Sequence, residues 1–221
     1  MSPYRRRYGD ISRLDRILEA EGDSPNRYKV SKQADVLMLF QLLTADELYV
    51  LLDRLGYPHD RRTIPRTIAY YLDRTCHGST LSKVVHAWVL ARSDRRKAWD
   101  YFLQALESDI ADVQGGTTGE GIHLGAMAGT LDLLQRGFTG LETREDVLGF
   151  DPYLPDALAG MHFRMRYRRH TEMEVVINHD TLTVGGTAAR STILPVRVGG
   201  RDFRLDPRGS LQIPLRRHRG D

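Results

Sequence analysis

Apolar residues return every three or four positions from about residue 10 to residue 148, the period of an amphipathic helix. In "DISRLDRILEAEG", Ile11, Leu14, Ile17 and Leu18 share one stripe and Gly22 supplies a stop. "TADELYVLLDRLG" begins on Thr44 with Glu47 three residues on, the reciprocal pair of a capping box, and ends on Gly56. "TIPRTIAYYLDR" carries Pro65 in its first turn, where a missing N–H costs little. Ser31 predicts the N-cap of "SKQADVLMLFQLL", whose residues 36–40 are apolar all round and therefore predict a helix buried on every side. Nearly the same holds for helices starting near Ser79 and Ile122, whereas "SDRRKAWDYFLQALESDIADV" carries a charged face. Inner and outer helices, joined in antiparallel hairpins by short links, are the expected arrangement.

Near residue 150 the period changes from 3.6 to 2. After the proline-punctuated "FDPYLPDAL", Phe163, Met165 and Tyr167 alternate with Arg164, Arg166 and Arg168, the signature of a half-buried strand. "EMEVVINHD", "TLTVGGT", "LPVRVGG", "DFRLDP" and "SLQIPL" follow, separated by Asn-His-Asp, Gly-Gly and Pro-Arg-Gly turns. The pattern predicts a mainly α chain with a small β domain: residues 1–150 helical, residues 151–221 a small antiparallel β domain that packs on the helical part.

The chain has 221 residues, long enough for one large domain or a larger and a smaller one. No apolar run is long enough to span a bilayer, and no apolar stretch follows the basic start "MSPYRRRYGD", so a soluble, cytoplasmic protein with no membrane partner is expected. The single cysteine, Cys76, excludes an internal disulfide and a multi-cysteine zinc site, and His59, His162, His170, His179 and His218 form no pair at metal-ligand spacing near a carboxylate, so no metal is expected. Cys76 beside His77 could be read as a nucleophile, but adjacent residues rarely present both groups to one substrate. The net charge of +3 raises nucleic-acid binding, yet the basic clusters "RRRY" and "RRHRGD" are terminal and 29 acids are mixed along the chain. Solvated ends, with no nucleic-acid partner, are the simpler reading.

The polar residues that stand out sit at the starts of the inner helices: Lys32 and Gln33 on the first, His77, Ser79 and Thr80 on the second, His123 on the third. Helix starts carry free N–H groups and partial positive charge, which favour an anion, and hydroxyls, a lysine and imidazoles add donors. The competing reading is that Ser79 and Thr80 cap a helix and Lys32 reaches solvent. Glycines in "GGTTGEGIHLGAMAG" allow close approach of a ligand or of another helix, and the run lacks the Gly-Lys-Ser or Gly-Lys-Thr of a nucleotide phosphate loop. His86 and Trp88, on the apolar helix, are read as core.

Four segments, "RYKVSKQADVLMLF", "RTCHGSTLSKVVHAWVLA", "GGTTGEGIHLGAMAGTLDLLQRGFTGL" and "VLGFDPYLP", resemble in order and spacing the C-terminal portion of glycoside hydrolase family 65. The family comprises inverting α-glucoside phosphorylases acting on maltose, trehalose and kojibiose, with some hydrolases. The resemblance implies about half of an (α/α)6 catalytic barrel followed by the family's C-terminal sheet domain. It implies that Lys32 and Gln33 line the sugar site, with His77 beside it, that Ser79 and Thr80 hold phosphate, and that His123 stands next to that phosphate. No cofactor is implied: inorganic phosphate is the co-substrate and a disaccharide the other partner.

The family's general acid, a glutamate upstream of the Lys-Gln pair, has no counterpart in the chain, and Glu19 and Glu21 stand in a different context. Leu72 stands where several members have the glutamate of a Tyr-Glu-Pro motif, so the acceptor sugar is left open. The chain alone is therefore expected to be catalytically incomplete and to need the remainder of the catalytic domain, with a homodimer as a further form of assembly. Hydrolysis, with Asp73 or Glu120 as base, is the alternative reaction, and a non-catalytic helical module binding a polyanion the alternative class.

Overall fold

The computed structural model describes residues 1–112, 119, 121–144, 146–188 and 192–215. The chain divides into two compact units, Met1–Leu131 and Asp132–Asp221.

In the first unit, α1 (Ser2–Tyr8) and α2 (Leu14–Ala20) lead through a 3-10 turn at Pro25–Arg27 into α3 (Asp35–Leu42), α4 (Ala45–Arg54) and α5 (Thr63–Leu72). Then come α6 (Thr80–Leu90), α7 (Arg95–Leu106) and α8 (Leu124–Asp132), followed past the end of this unit by a wider π turn at Leu133–Gly137. The expected capping box closes: Thr44 accepts from the Glu47 amide while the Glu47 carboxylate accepts from the Thr44 amide. Gly22 and Gly56 take positive φ at the stops the pattern predicts.

The helix expected from Ser31 starts instead at Asp35, with Ala34 at its N-cap. The cause lies far away in sequence. Ser31 donates to the Arg74 carbonyl and accepts from the Cys76 amide, and the Lys32 carbonyl accepts from Gly78, so this stretch is an extended bridge. Burial also differs from expectation. Ala34 and Leu37 of α3 pack with Val85 of α6, but Leu39 and Leu42 are 43% and 71% exposed. Likewise Ala126 of α8 packs with Val84 and Ala105, while Leu124 and Leu131 stand 75% and 69% exposed. Each of these helices is therefore buried on one side, not on all. No helix among the described residues is long and apolar enough to cross a membrane.

The second unit holds two four-stranded sheets. One has the order β1 (Glu142–Arg144), β2 (Val147–Phe150), β6 (Leu194–Val198), β7 (Arg201–Leu205); the other has β3 (Gly160–Tyr167), β4 (His170–Asn178), β5 (Thr181–Ala188), β8 (Ser210–Pro214). Two expectations are corrected. Strands begin before residue 150, in the stretch read as helical, because residues 148–150 are buried in succession and a short apolar run carries no period that tells strand from helix. Pairing is antiparallel except between β2 and β6, which run parallel. Along β3 the alternation is as predicted: Phe163, Met165 and Tyr167 are half-buried while Arg164, Arg166 and Arg168 are exposed. Met173, Val175, Ile177, Leu182, Val184 and Ile213 are buried in the same sheet.

Candidate functional site

The start of α6 is built by a close crossing of two segments. Gly78 donates its amide to the Lys32 carbonyl at 2.7 Å. A Cβ on Gly78 would lie 2.8 Å from Lys32 Cγ and 2.9 Å from the Ser12 carbonyl oxygen, so only glycine fits without displacement. That crossing sets Lys32 against the residue preceding Ser79. Lys32 and Gln33 are both exposed, and the Gln33 amide donates to Asp35 Oδ1 at 3.0 Å.

Ser79 occupies the N-cap position of α6 in extended conformation, but its hydroxyl makes no capping hydrogen bond. A capping role would have used that oxygen on the second or third amide of the helix. Ser79 is half-buried and Thr80 is 6% exposed. The first amides of the helix have no intrahelical acceptor, and the helix dipole adds partial positive charge to them.

His123 comes to this end through α7. Val84, Ala105 and Ala126 form one cluster, so the last turn of α7 lies beside the second turn of α6 and the first turn of α8. A Cβ on Gly129 would approach Val84 Cγ1 to 2.7 Å, which fixes α8 tightly on α6. Asp109, just past the end of α7, clasps His123 twice: Oδ2 accepts from the backbone amide at 2.9 Å and Oδ1 faces the ring Nδ1 at 2.6 Å. These bonds hold the Asp109 carboxyl below its usual pKa, the hydrogen bond from the ring being the largest cause. With the Nδ1 proton directed at the carboxylate, Nε2 is the ring nitrogen left for a ligand. The starts of α3, α6 and α8 therefore fall at one end of the helical unit.

His77 is placed differently from the other candidates. It takes φ of 61°, a left-handed conformation that turns its ring in between α6 and α7. There its Nδ1 lies 3.3 Å from Ser82 Oγ and its Nε2 3.4 Å from the Tyr101 hydroxyl, and its ring centroid is 4.4 Å from that of His86. Burial, with His86, Lys83 and Arg5 nearby, pushes the His77 pKa down to about 3, so the ring is neutral at physiological pH. His86 is fully buried, as expected of core, and donates from Nδ1 to the Ser82 carbonyl at 2.8 Å; burial lowers its pKa to about 4.

Three participants were missed in the sequence: Asp109, Tyr101 and Lys83. Asp109 sits 14 residues from His123 with no local motif to link them, and Tyr101 lies on the helix read as charged and outer. Of the other candidates, Asp73 is exposed at the end of α5. Glu120, most of the glycine run before it and the basic cluster at 216–221 lie outside the described residues.

The fold sets the class first. The chain aligns with a solved chain from the human microbiome that carries the name kojibiose phosphorylase, at TM-score 0.65 and 25% identity, covering 84% of this chain and 22% of that one. Sequence then gives the family: residues 1–132 match the glycosyl hydrolase family 65 central catalytic domain and residues 141–205 the C-terminal domain of the same family. The chain belongs to glycosyl hydrolase family 65. An uncharacterized glycosyl hydrolase of Mycobacterium tuberculosis is 56% identical over 202 residues, 91% of this chain and 15% of that protein. The trehalose 6-phosphate phosphorylase of Lactococcus lactis is 40% identical over 186 residues, 84% and 24%. The kojibiose phosphorylase of Caldanaerobacter subterraneus is 32% identical over 176 residues, 79% and 21%. The chain thus spans a quarter or less of the length of these relatives.

Proposed function

We propose that this chain supplies the phosphate seat and part of the sugar site of an inverting α-glucoside phosphorylase, which cleaves a glucose disaccharide with inorganic phosphate to give glucose 1-phosphate. The observation that carries the reading is the start of α6: a half-buried Ser79 hydroxyl not used for capping, Thr80 beside it, Lys32 at Gly78, and His123 set at the same end by Asp109. In this reading Ser79, Thr80, the first amides of α6 and His123 Nε2 donate to phosphate, while Lys32 and Gln33 reach the glucosyl group. A phosphate oxygen attacks the anomeric carbon from the face opposite the leaving sugar. The C–O bond to that sugar breaks, and a general acid protonates the departing oxygen. Phosphate is already an anion and needs no base, which suits a helix start furnished with hydroxyls and an imidazole.

The general acid, and with it the rest of an (α/α)6 barrel, is assigned to catalytic-domain residues beyond this chain. Two features support this: the matched stretch is a quarter or less of each of these relatives, and Leu39, Leu42, Leu124 and Leu131 present apolar surface on helices read as inner. The proposed substrate is a glucose disaccharide or its phosphate ester, a reading supported by the names of the trehalose 6-phosphate and kojibiose phosphorylases, and the proposed location is the cytoplasm. Hydrolysis is the weaker reading: it needs a base, and Asp73, the described candidate, is exposed to solvent at the C-terminal end of α5.

The test has two arms. Inorganic phosphate at about one hundred times its Kd should stabilise the chain by about 2.7 kcal/mol, and the Ser79→Ala, Thr80→Ala pair should abolish the gain. Incubated with maltose, trehalose or kojibiose plus phosphate, the chain alone should release no glucose 1-phosphate. A phosphate effect untouched by the pair overturns the seat, and turnover by the chain alone overturns the assignment of the acid elsewhere.

A further inference from the structure

Lys83 is 8% exposed and makes no hydrogen bond or ion pair among the described residues. The stem is covered by protein, but Nζ is not among the buried unpartnered nitrogens, so the amine opens to water at the cleft. Burial still pushes its pKa down, with Asp10 pulling the other way. Lys83 lines a cleft of about 420 Å3 together with Arg5, Asp10, Lys97, Asp100 and Tyr101. That volume lies in the range of about 300–1,000 Å3 typical of small-molecule sites. None of Lys32, Ser79, Thr80 and His123 lines it; His77 does, as a neutral ring.

The lining divides by chemistry. Arg5, Lys83 and, nearer solvent, Lys97 are donors with positive charge, and Lys97 already pairs with Asp94 at 3.0 Å. Arg5 offers a planar fork suited to phosphate oxygens. The Asp10 carboxylate accepts from the Ser12 amide at 2.8 Å and from the Ser12 hydroxyl at 3.0 Å, which fixes its orientation and leaves lone pairs for further donors. Asp100 adds a second carboxylate. A ligand that meets both halves carries an anionic group at one end and hydroxyl donors at the other. Inorganic phosphate lacks the hydroxyl array and a neutral sugar lacks the charge.

We infer that this cleft binds a hexose phosphomonoester, with the phosphate on Arg5 and Lys83 and sugar hydroxyls on Asp10 and Asp100. The inference stands on Lys83 and the cleft, independently of the phosphate seat at Ser79.

Calorimetric titration of the 221-residue chain with glucose 6-phosphate, glucose 1-phosphate, glucose and inorganic phosphate tests it, with circular dichroism to verify folding of each variant. At least one hexose phosphate should bind, with glucose and inorganic phosphate at least about tenfold weaker at this site. Measured in the Ser79→Ala, Thr80→Ala background, which removes the proposed seat at the start of α6, Lys83→Met and Arg5→Met should each raise the hexose phosphate Kd by at least about tenfold. Arg5 is exposed, so its variant keeps the test decisive if Lys83→Met fails to fold. The inference falls if neither ester binds, if the folded variants bind as the parent does, or if inorganic phosphate alone binds through Lys83 and Arg5 as tightly. Failure of the seat at Ser79 shows in the pair of hydroxyl variants alone, so the two outcomes remain distinguishable.

Discussion

The helical and β units solve burial in opposite ways. In the β unit, apolar side chains point inward at every second position of β4 and β6, and among the described residues only Val176 and Ile193 are large apolar groups left exposed. The helical unit leaves Leu42, Leu55, Ile110, Ile122, Leu124 and Leu131 exposed, each above half of its surface, while it buries Thr80, Ser82, Lys83 and His86. A unit that covers its apolar surface is complete as a packing object. One that exposes leucines and buries a lysine has been shaped by something other than its own stability. The β unit reads as scaffold, and the helical unit as the part that carries chemistry.

The contrast is sharpest for core truncation. Ile177→Ala, at a side chain 1% exposed in β4, should cost about 2–5 kcal/mol in urea unfolding followed by far-ultraviolet circular dichroism. A cost near zero would mean that the sheet is not tightly packed. Next, Gly78→Ala should destabilise the helical unit by about 1–3 kcal/mol, because the new Cβ meets Lys32 and the Ser12 carbonyl. It should also weaken glucose binding by displacing Lys32; an Ala variant that binds glucose as before would separate Lys32 from the sugar site.

Acid should also act on the helical unit. The His77 and His86 pKa values are lowered to about 3 and about 4 in the fold, so below the ordinary histidine value of about 6.5 the unfolded chain binds protons that the folded chain does not. Stability is then fully present above about pH 6.5 and is lost as the pH falls toward about 4, by at most about 1.4 kcal/mol per pH unit for each histidine. Trp88 and Trp99, the two tryptophans, lie in α6 and α7, so their fluorescence follows this unit alone. A urea midpoint that is flat between pH 6.5 and pH 4 would contradict the buried neutral pair.

Thr44→Ala removes a capping box at the start of α4 and should cost about 1 kcal/mol. The smallest effect is expected at the exposed leucines. Leu42→Gln and Leu131→Gln should change stability by less than about 0.5 kcal/mol while reducing self-association in sedimentation. A larger loss would show that these side chains are already packed within the isolated chain.

How much of this was legible in the sequence follows the range of the interactions. Local signals read correctly: the Thr44 and Glu47 box, the glycine stops, and the alternation of Phe163, Met165 and Tyr167. Signals set by distant partners did not. Ser31 looks like a cap until residues 74–78 arrive beside it and hold the chain extended. Lys83 looks like any helical lysine, because nothing in "STLSKVV" shows that the segments around Asp10 and Tyr101 will bury it. Asp109 is invisible as a partner of His123 until α7 brings it round. Ser79, Thr80 and His123 could be named from helix starts, and Lys32 from a start that falls three residues later, but the reason Gly78 precedes Ser79, the crossing with Lys32, exists only in three dimensions.

The central claim is tested most directly by a crystal structure of the chain grown or soaked with tungstate, a heavy analogue of phosphate. The account predicts one bound oxyanion at the start of α6, within hydrogen-bonding distance of the Ser79 and Thr80 hydroxyls and of His123 Nε2. A fully occupied oxyanion elsewhere, with the start of α6 empty and Ser79 turned to cap its own helix, would contradict it.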